Sequence, residues 1–131
     1  MNIQSLTLLN VQPSQFYISE EKLKAVEAWF VPDDLSHFEP IPVKMLNGIA
    51  VMTDGHTRAA AALRRGVTQV PFIEETEELN WDQYWQCVRA CRERGVFTAY
   101  DLLTRVVDAE EYHLLWDAWC DHMHEETKKS V

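Results

Sequence analysis

Apolar and polar positions change period several times along this chain, and the changes divide it into short strands and helices. From residue 5 to 11, Leu6, Leu8, Leu9 and Val11 read as a first strand stopped at Gln12-Pro13, because proline cannot donate to a ladder. Residues 13–18 follow as a loop anchored by Phe16 and Tyr17. Ser19 is a good N-cap, Glu20 and Glu21 suit the positive end of a helix, and Leu23, Val26 and Phe30 share one face, with Ala25 and Trp29 beside them. That pattern predicts an amphipathic helix over 20–30. Apolar runs at 41–46 and 49–53 flank Asn47-Gly48, the strongest short hairpin signal. A helix over 57–65 carries four consecutive alanines, which allow close approach to a sheet, and stops at Gly66. Residues 70–73 form a further strand whose Pro71 suits an edge.

Beyond Glu74 the pattern becomes helical. The charge run at 74–78 reads as a solvated connector. Asn80 caps a helix with Trp81, Tyr84, Trp85, Val88 and Cys91 at helical spacing, ended by Gly95. Thr98 opens a short helix over 99–107, and Asp108 with Glu110 and Glu111 starts a last helix whose Tyr112, Leu115, Trp116, Trp119 and Met123 line one side. The prediction is an α/β (α+β) protein: a small mixed sheet with helices over 1–75, and a helical extension packed on it over 76–131. The aromatic stripe Trp81, Tyr84, Trp85, Tyr112, Trp116 and Trp119 reads first as core, with a protein partner or homodimer surface as its other use.

Composition narrows the function. The 131 residues carry a net charge of −9, which repels a polyanion, so nucleic acid is disfavoured despite a local basic patch at Arg58, Arg64 and Arg65. The two arginines at the helix end are explained by its dipole. No apolar run approaches the roughly 18 residues that cross a bilayer, and the start of the chain lacks the pattern of a signal peptide. A cytoplasmic protein with no membrane partner is expected. Cys87, Cys91 and Cys120 read as reduced thiols packed like small hydrophobes. Cys120, His122 and His124 are zinc-ligand types, but their spacing splits them around a helix, so no metal site is assigned.

The candidate chemistry lies in Asp54-Gly55-His56-Thr57-Arg58, which joins strand to helix through a glycine. Such a turn leaves the first amides of the helix unpaired, with the positive end of its dipole behind them, and so suits an anion, most often a phosphate. A plain helix cap, with Asp54 or Thr57 satisfying those amides, is the competing reading. Arg58 beside a run of alanines is the residue least explained by packing.

Residues 5–75 resemble the ParB/sulfiredoxin superfamily, on Gln12-Pro13, Ser19-Glu20-Glu21-Lys22-Leu23, Pro40-Ile41-Pro42-Val43, Asn47-Gly48, the Asp54 to Ala59 turn, and Gly66 with Val70-Pro71-Phe72-Ile73. The resemblance implies a small α/β fold that binds a nucleotide. The turn is most similar to the Asp-Gly-His-x-Arg motif of the free serine kinases. It implies catalytic roles for Asp54 and His56, and phosphate or nucleotide binding by Gly55, His56, Thr57 and Arg58. The cofactor is then ATP, ADP or CTP with Mg²⁺, and the sharpest reaction is phosphoryl transfer to a small hydroxyl substrate. Gln15 stands where that family places a catalytic glutamate and cannot accept a proton, so Glu20 or Glu21 would take that part. His56 stands where sulfiredoxin has its cysteine, and the turn keeps only the first glycine and last arginine of the chromosome-partitioning ParB motif. A non-enzymatic adaptor using the aromatic tail, and a DNA-associated ParB-like protein, are the alternatives.

Overall fold

The structure, a computed structural model, describes residues 3–129; residues 1, 2, 130 and 131, included in the predicted domain ranges, lie outside the described residues. The chain is α+β, a small mixed sheet with a helical C-terminal stretch. The hairpin forms where Asn47-Gly48 demands it, both residues taking positive φ (49° and 80°), as a tight turn between twisted strands requires. Its strands, β2 (Ile41–Leu46) and β3 (Ile49–Met52), pair antiparallel. β4 (Phe72–Glu74) adds parallel to the other side of β2, so the order is β3-β2-β4 and the proline-preceded strand lies at an edge.

The run 5–11 is not the predicted strand. Thr7 N–H donates to Asn10 Oδ1 (2.8 Å), Leu9 N–H to Thr7 Oγ1 (3.1 Å) and Asn10 N–H to Thr7 O (3.2 Å), so side chains coil the segment locally. Leu8 and Val11 are buried while Leu9 is exposed, and the ladder contact nearest this run is an isolated bridge from Gln12 to Val51. β1 is instead Ile18–Ser19, parallel to β5 (Val106–Val107).

α1 (Glu20–Glu27) starts at Ser19, whose hydroxyl accepts from Lys22 N, and ends earlier than predicted, in a turn through Phe30. α2 (His56–Arg64) sits at the centre of the molecule, with all four alanines fully buried. Ala59 and Ala62 pack in one core cluster with Ile41, Val43 and Met52; Ala60 and Ala61 pack in another with Phe16, Ile18 and Leu102. The small side chains therefore serve two faces, not the sheet alone.

α3 (Trp81–Glu93) is capped by Asn80 as predicted. The helix predicted over 99–107 is shorter: a 3₁₀ segment, Ala99–Thr104, opened by a Thr98/Asp101 capping box, then β5. Val106 and Val107 are drawn out of it by pairing with β1, where β-branched side chains are favoured. The last helix also differs. α4 (Ala109–Tyr112) and α5 (Ala118–Lys129) are joined by a π-helical turn, His113–Asp117. The extra residue per turn rotates the apolar face, leaving Leu114 and Leu115 exposed while Tyr112 and Met123 stay buried. Of the aromatic stripe only Tyr112 is buried; Trp81, Tyr84, Trp85, Trp116 and Trp119 are half-buried. No helix among the described residues is long and apolar enough to cross a membrane.

Candidate functional site

The turn between β3 and α2 is built as its sequence implies. Gly55 takes the left-handed conformation (φ 82°) at the N-cap of α2 and supplies no capping side chain. Neither Asp54 nor Thr57 caps the helix either, and its first turn holds no acidic residue. Only Ala59 N–H finds an acceptor there among the described residues, Gly55 O at 2.9 Å, so the amides of His56, Thr57 and Arg58 are left to a ligand or water. Glycine is favoured here by its positive φ, and a Cβ would lie 2.9 Å from Arg58 Nη2 and 3.3 Å from Ile41 Cγ1, so the flexible guanidinium would have to shift to admit one.

His56 is buried beneath the turn. Its Nε2 accepts the Ser14 N–H at 3.0 Å, while Ser14 Oγ donates to Met52 O at 2.6 Å, which locks the 13–14 loop across the end of β3. Burial lowers the ring's pKa from its ordinary value to about 4, against a smaller opposing effect of Asp54. The ring is therefore neutral, and with Nε2 accepting, its proton is on Nδ1, which has no hydrogen-bond partner among the described residues. A neutral donor suits holding an oxyanion better than shuttling protons.

Arg58 folds back over Gly55. One nitrogen, Nη2, donates to Pro40 O at a long 3.4 Å, and Nε is buried without any partner among the described residues. Such an orphan donor is rare in folded proteins and here lies beside the unpaired amides. A cavity of about 310 Å³ opens at this point, lined by Asp54, Gly55, His56, Thr57 and Arg58 together with Lys22 from α1. Gln15, Val26 and Tyr112 complete its lining. All five turn residues singled out in the sequence thus meet in one place.

Lys22 was not legible as a site residue. It is remote from the turn in sequence and reaches the cavity only because α1 packs on α2; its Nζ stands 4.9 Å from the Tyr112 ring centroid, offering a second cation. Gln15 is held by donation from Nε2 to Tyr17 O (2.8 Å) and Tyr112 Oη (3.1 Å). Glu20 and Glu21, the stand-ins for a catalytic glutamate, are exposed and line neither this cavity nor its neighbour; Glu20 pairs with Lys24 at 3.3 Å.

A second cavity of about 220 Å³ adjoins the first and shares Gln15, Asp54 and His56 with it. Its outer wall comes from the C-terminal helices: Gln83, Tyr84 and Cys87 of α3, Trp116 of the π turn, Cys120 and Met123 of α5. Tyr84 Oη donates to Thr53 O at 3.2 Å, and Thr53 Oγ1 donates to Glu75 Oε1 at 2.9 Å, so the charge run at 74–78 is in part a structural strut. The three cysteines are free thiols. Burial pushes Cys87 up to about 11 and Cys120 to about 12, so both are protonated and unreactive at neutral pH. No three His, Cys, Asp or Glu side chains among the described residues converge as metal ligands.

No family model matches the chain, and no curated protein matches it. Among solved structures it is similar to the protein Atu1540 from Agrobacterium tumefaciens, with 16% identity and a TM-score of 0.46, over 79% of this chain. The chain spans 60% of the length of that protein. A likeness at this level carries no inference about chemistry.

Proposed function

We propose that this chain is a phosphate- or nucleotide-binding domain of ParB/sulfiredoxin type, with the phosphate of its ligand seated at the N-terminus of α2. The observation that carries the reading is the convergence, on one cavity, of an uncapped helix start with Arg58, Lys22 and the neutral imidazole of His56. Each supplies a donor or positive charge, and together they match the oxygens and charge of a phosphate. If the ligand is a nucleotide, Asp54, the one carboxylate lining the cavity among the described residues, would be the residue to hold Mg²⁺, an ion usually shared between a carboxylate and phosphates. Transfer of a phosphoryl group would need Asp54 as the base, since Gln15 cannot accept a proton and Glu20 and Glu21 lie elsewhere. The binding reading stands without that step. Free thiols suit a cytoplasmic setting.

Thermal denaturation with inorganic phosphate, ATP, ADP and CTP, each with and without Mg²⁺, tests this. A ligand at a hundred times its Kd raises stability by about 2.7 kcal/mol. Arg58→Ala should remove the rise, and Lys22→Ala, whose side chain is exposed and whose loss should leave the fold intact, should reduce it. No shift with any of the four ligands refutes the proposal.

A further inference from the structure

The two cavities that meet at Asp54 differ in chemistry, and the difference bears on what the ligand is. The cavity at the start of α2 offers two cations and unpaired amides. Its neighbour has no Lys or Arg in its lining among the described residues, and Asp54 is its one carboxylate. His56, kept neutral by burial, and the exposed His124 also line it. Without the lysine and arginine of the first space, it suits a neutral group better than an anionic one. Tyr84, Trp116 and Met123 line it with two aromatic rings and a thioether, groups that favour a flat aromatic partner. At the same wall, Gln83 has no side-chain hydrogen bond among the described residues, so its amide is available to both donors and acceptors on a ring edge.

Size points the same way. Small-molecule sites run from roughly 300 to 1,000 Å³. The spaces of about 310 and 220 Å³ are each marginal alone, and they are neighbours that share Gln15, Asp54 and His56 in their linings. Resting on the phosphate reading above, we propose that the two cavities hold a single ligand: an organic phosphate with a neutral, planar aromatic body of about nucleobase size. The phosphate lies on the α2 amides, Arg58 and Lys22. The ring lies against Tyr84, Trp116 and Met123 with Gln83 at its edge. Asp54, between them, accepts hydrogen bonds from hydroxyl groups on the linking portion, as an acidic residue does for a ribose. The C-terminal helices then form the part of the site that selects the ligand.

Affinities measured by calorimetry for inorganic phosphate, ribose 5-phosphate, phenyl phosphate, AMP and CMP decide it. The aromatic phosphates should bind at least about tenfold more tightly than phosphate or ribose 5-phosphate, because only they fill the apolar cavity. Cys120→Phe, which fills that cavity, should bring the constants for phenyl phosphate and phosphate together. Gln83→Ala, on the half-exposed wall, should narrow the gap for AMP and CMP, and it decides the matter if Cys120→Phe fails to fold by circular dichroism. Phosphate binding with no gain from an aromatic body overturns this inference and leaves the anion site standing. A gain that survives both folded variants also overturns it, since the ring then sits elsewhere. Absence of binding by all five compounds overturns the anion site as well.

Discussion

The starts of α2 and α3 solve the same physical problem in opposite ways. At α3, Asn80 Oδ1 accepts from Gln83 N–H at 3.1 Å and Asp82 stands in the first turn, so one orphan amide and the dipole are answered within the chain. α1 and α4 follow the same plan with Ser19 and Asp108, each backed by two glutamates. At α2 the N-cap is a left-handed glycine, there is no side-chain cap, and no acid enters the first turn. Arg58 and Lys22 add positive charge where the other helices add negative. A helix end that the protein leaves unanswered in this way is open to water or to a ligand, whereas a self-capped end is partly closed to both.

The largest expected effect on this contrast comes from His56, which carries the α2 start. Its pKa is about 4 when folded and near its ordinary 6.5 when unfolded. Between those values the unfolded chain binds a proton that the folded chain refuses, so stability is complete above pH 6.5 and declines as pH falls towards 4. The loss is on the order of 3 kcal/mol. Urea denaturation from pH 7.5 to 4.5 should show His56→Gln, which keeps an acceptor for Ser14 N–H, with a flatter profile than the unsubstituted protein; parallel profiles would mean the ring is not held neutral.

Next in size is Gly55→Ala. A positive φ and a 2.9 Å approach to Arg58 Nη2 should cost roughly 1–3 kcal/mol. The same substitution should weaken phosphate binding by displacing the guanidinium, and unchanged binding would separate Arg58 from the site. Smallest is Asn80→Ala, expected to cost about 1 kcal/mol through the lost cap. It should leave the affinity for inorganic phosphate unchanged in titrations, because no residue of α3 lines the cavity at the start of α2; a change there would erase the distinction between the two ends.

Much of the frame could be read from the chain because its signals act over a few residues. Asn47-Gly48 fixed a hairpin, Ser19, Asn80 and Asp108 each capped the helix that follows, and Gly55 marked the left-handed turn into α2. Where local signals competed, the pattern misled. Leu6 to Val11 looked like a strand, but the hydroxyl of Thr7 and the amide of Asn10 captured the backbone first. Val106 and Val107 looked helical in a run that starts well at Thr98, yet pairing with Ile18 and Ser19, from the far end of the chain, pulled them into a strand. The π turn at His113–Asp117 left no mark in the spacing, and it moved Leu115 from the expected apolar face to solvent.

The C-terminal stretch packs on the first half through specific contacts: Phe16 packs edge-on against Trp116 and Trp119 (centroids 4.9 and 5.0 Å), Arg105 Nε donates to Phe16 O, and Arg92 Nη1 donates to the buried Gln12 at 3.2 Å. These contacts hold the 12–18 loop, and with it Ser14 and Gln15, against the turn.

By itself the sequence determined the turn from Asp54 to Arg58 and its glycine, since each follows from backbone angles confined to a handful of neighbours; that neither Asp54 nor Thr57 caps the amides behind it was decided in the folded structure. Tertiary structure decided that Lys22 joins Arg58, that His56 is neutral, and that Tyr84, Trp116 and Met123 wall a second space beside Asp54. Those outcomes depend on burial and on contacts between distant segments, where many weak apolar interactions act together and no short stretch of chain records the result.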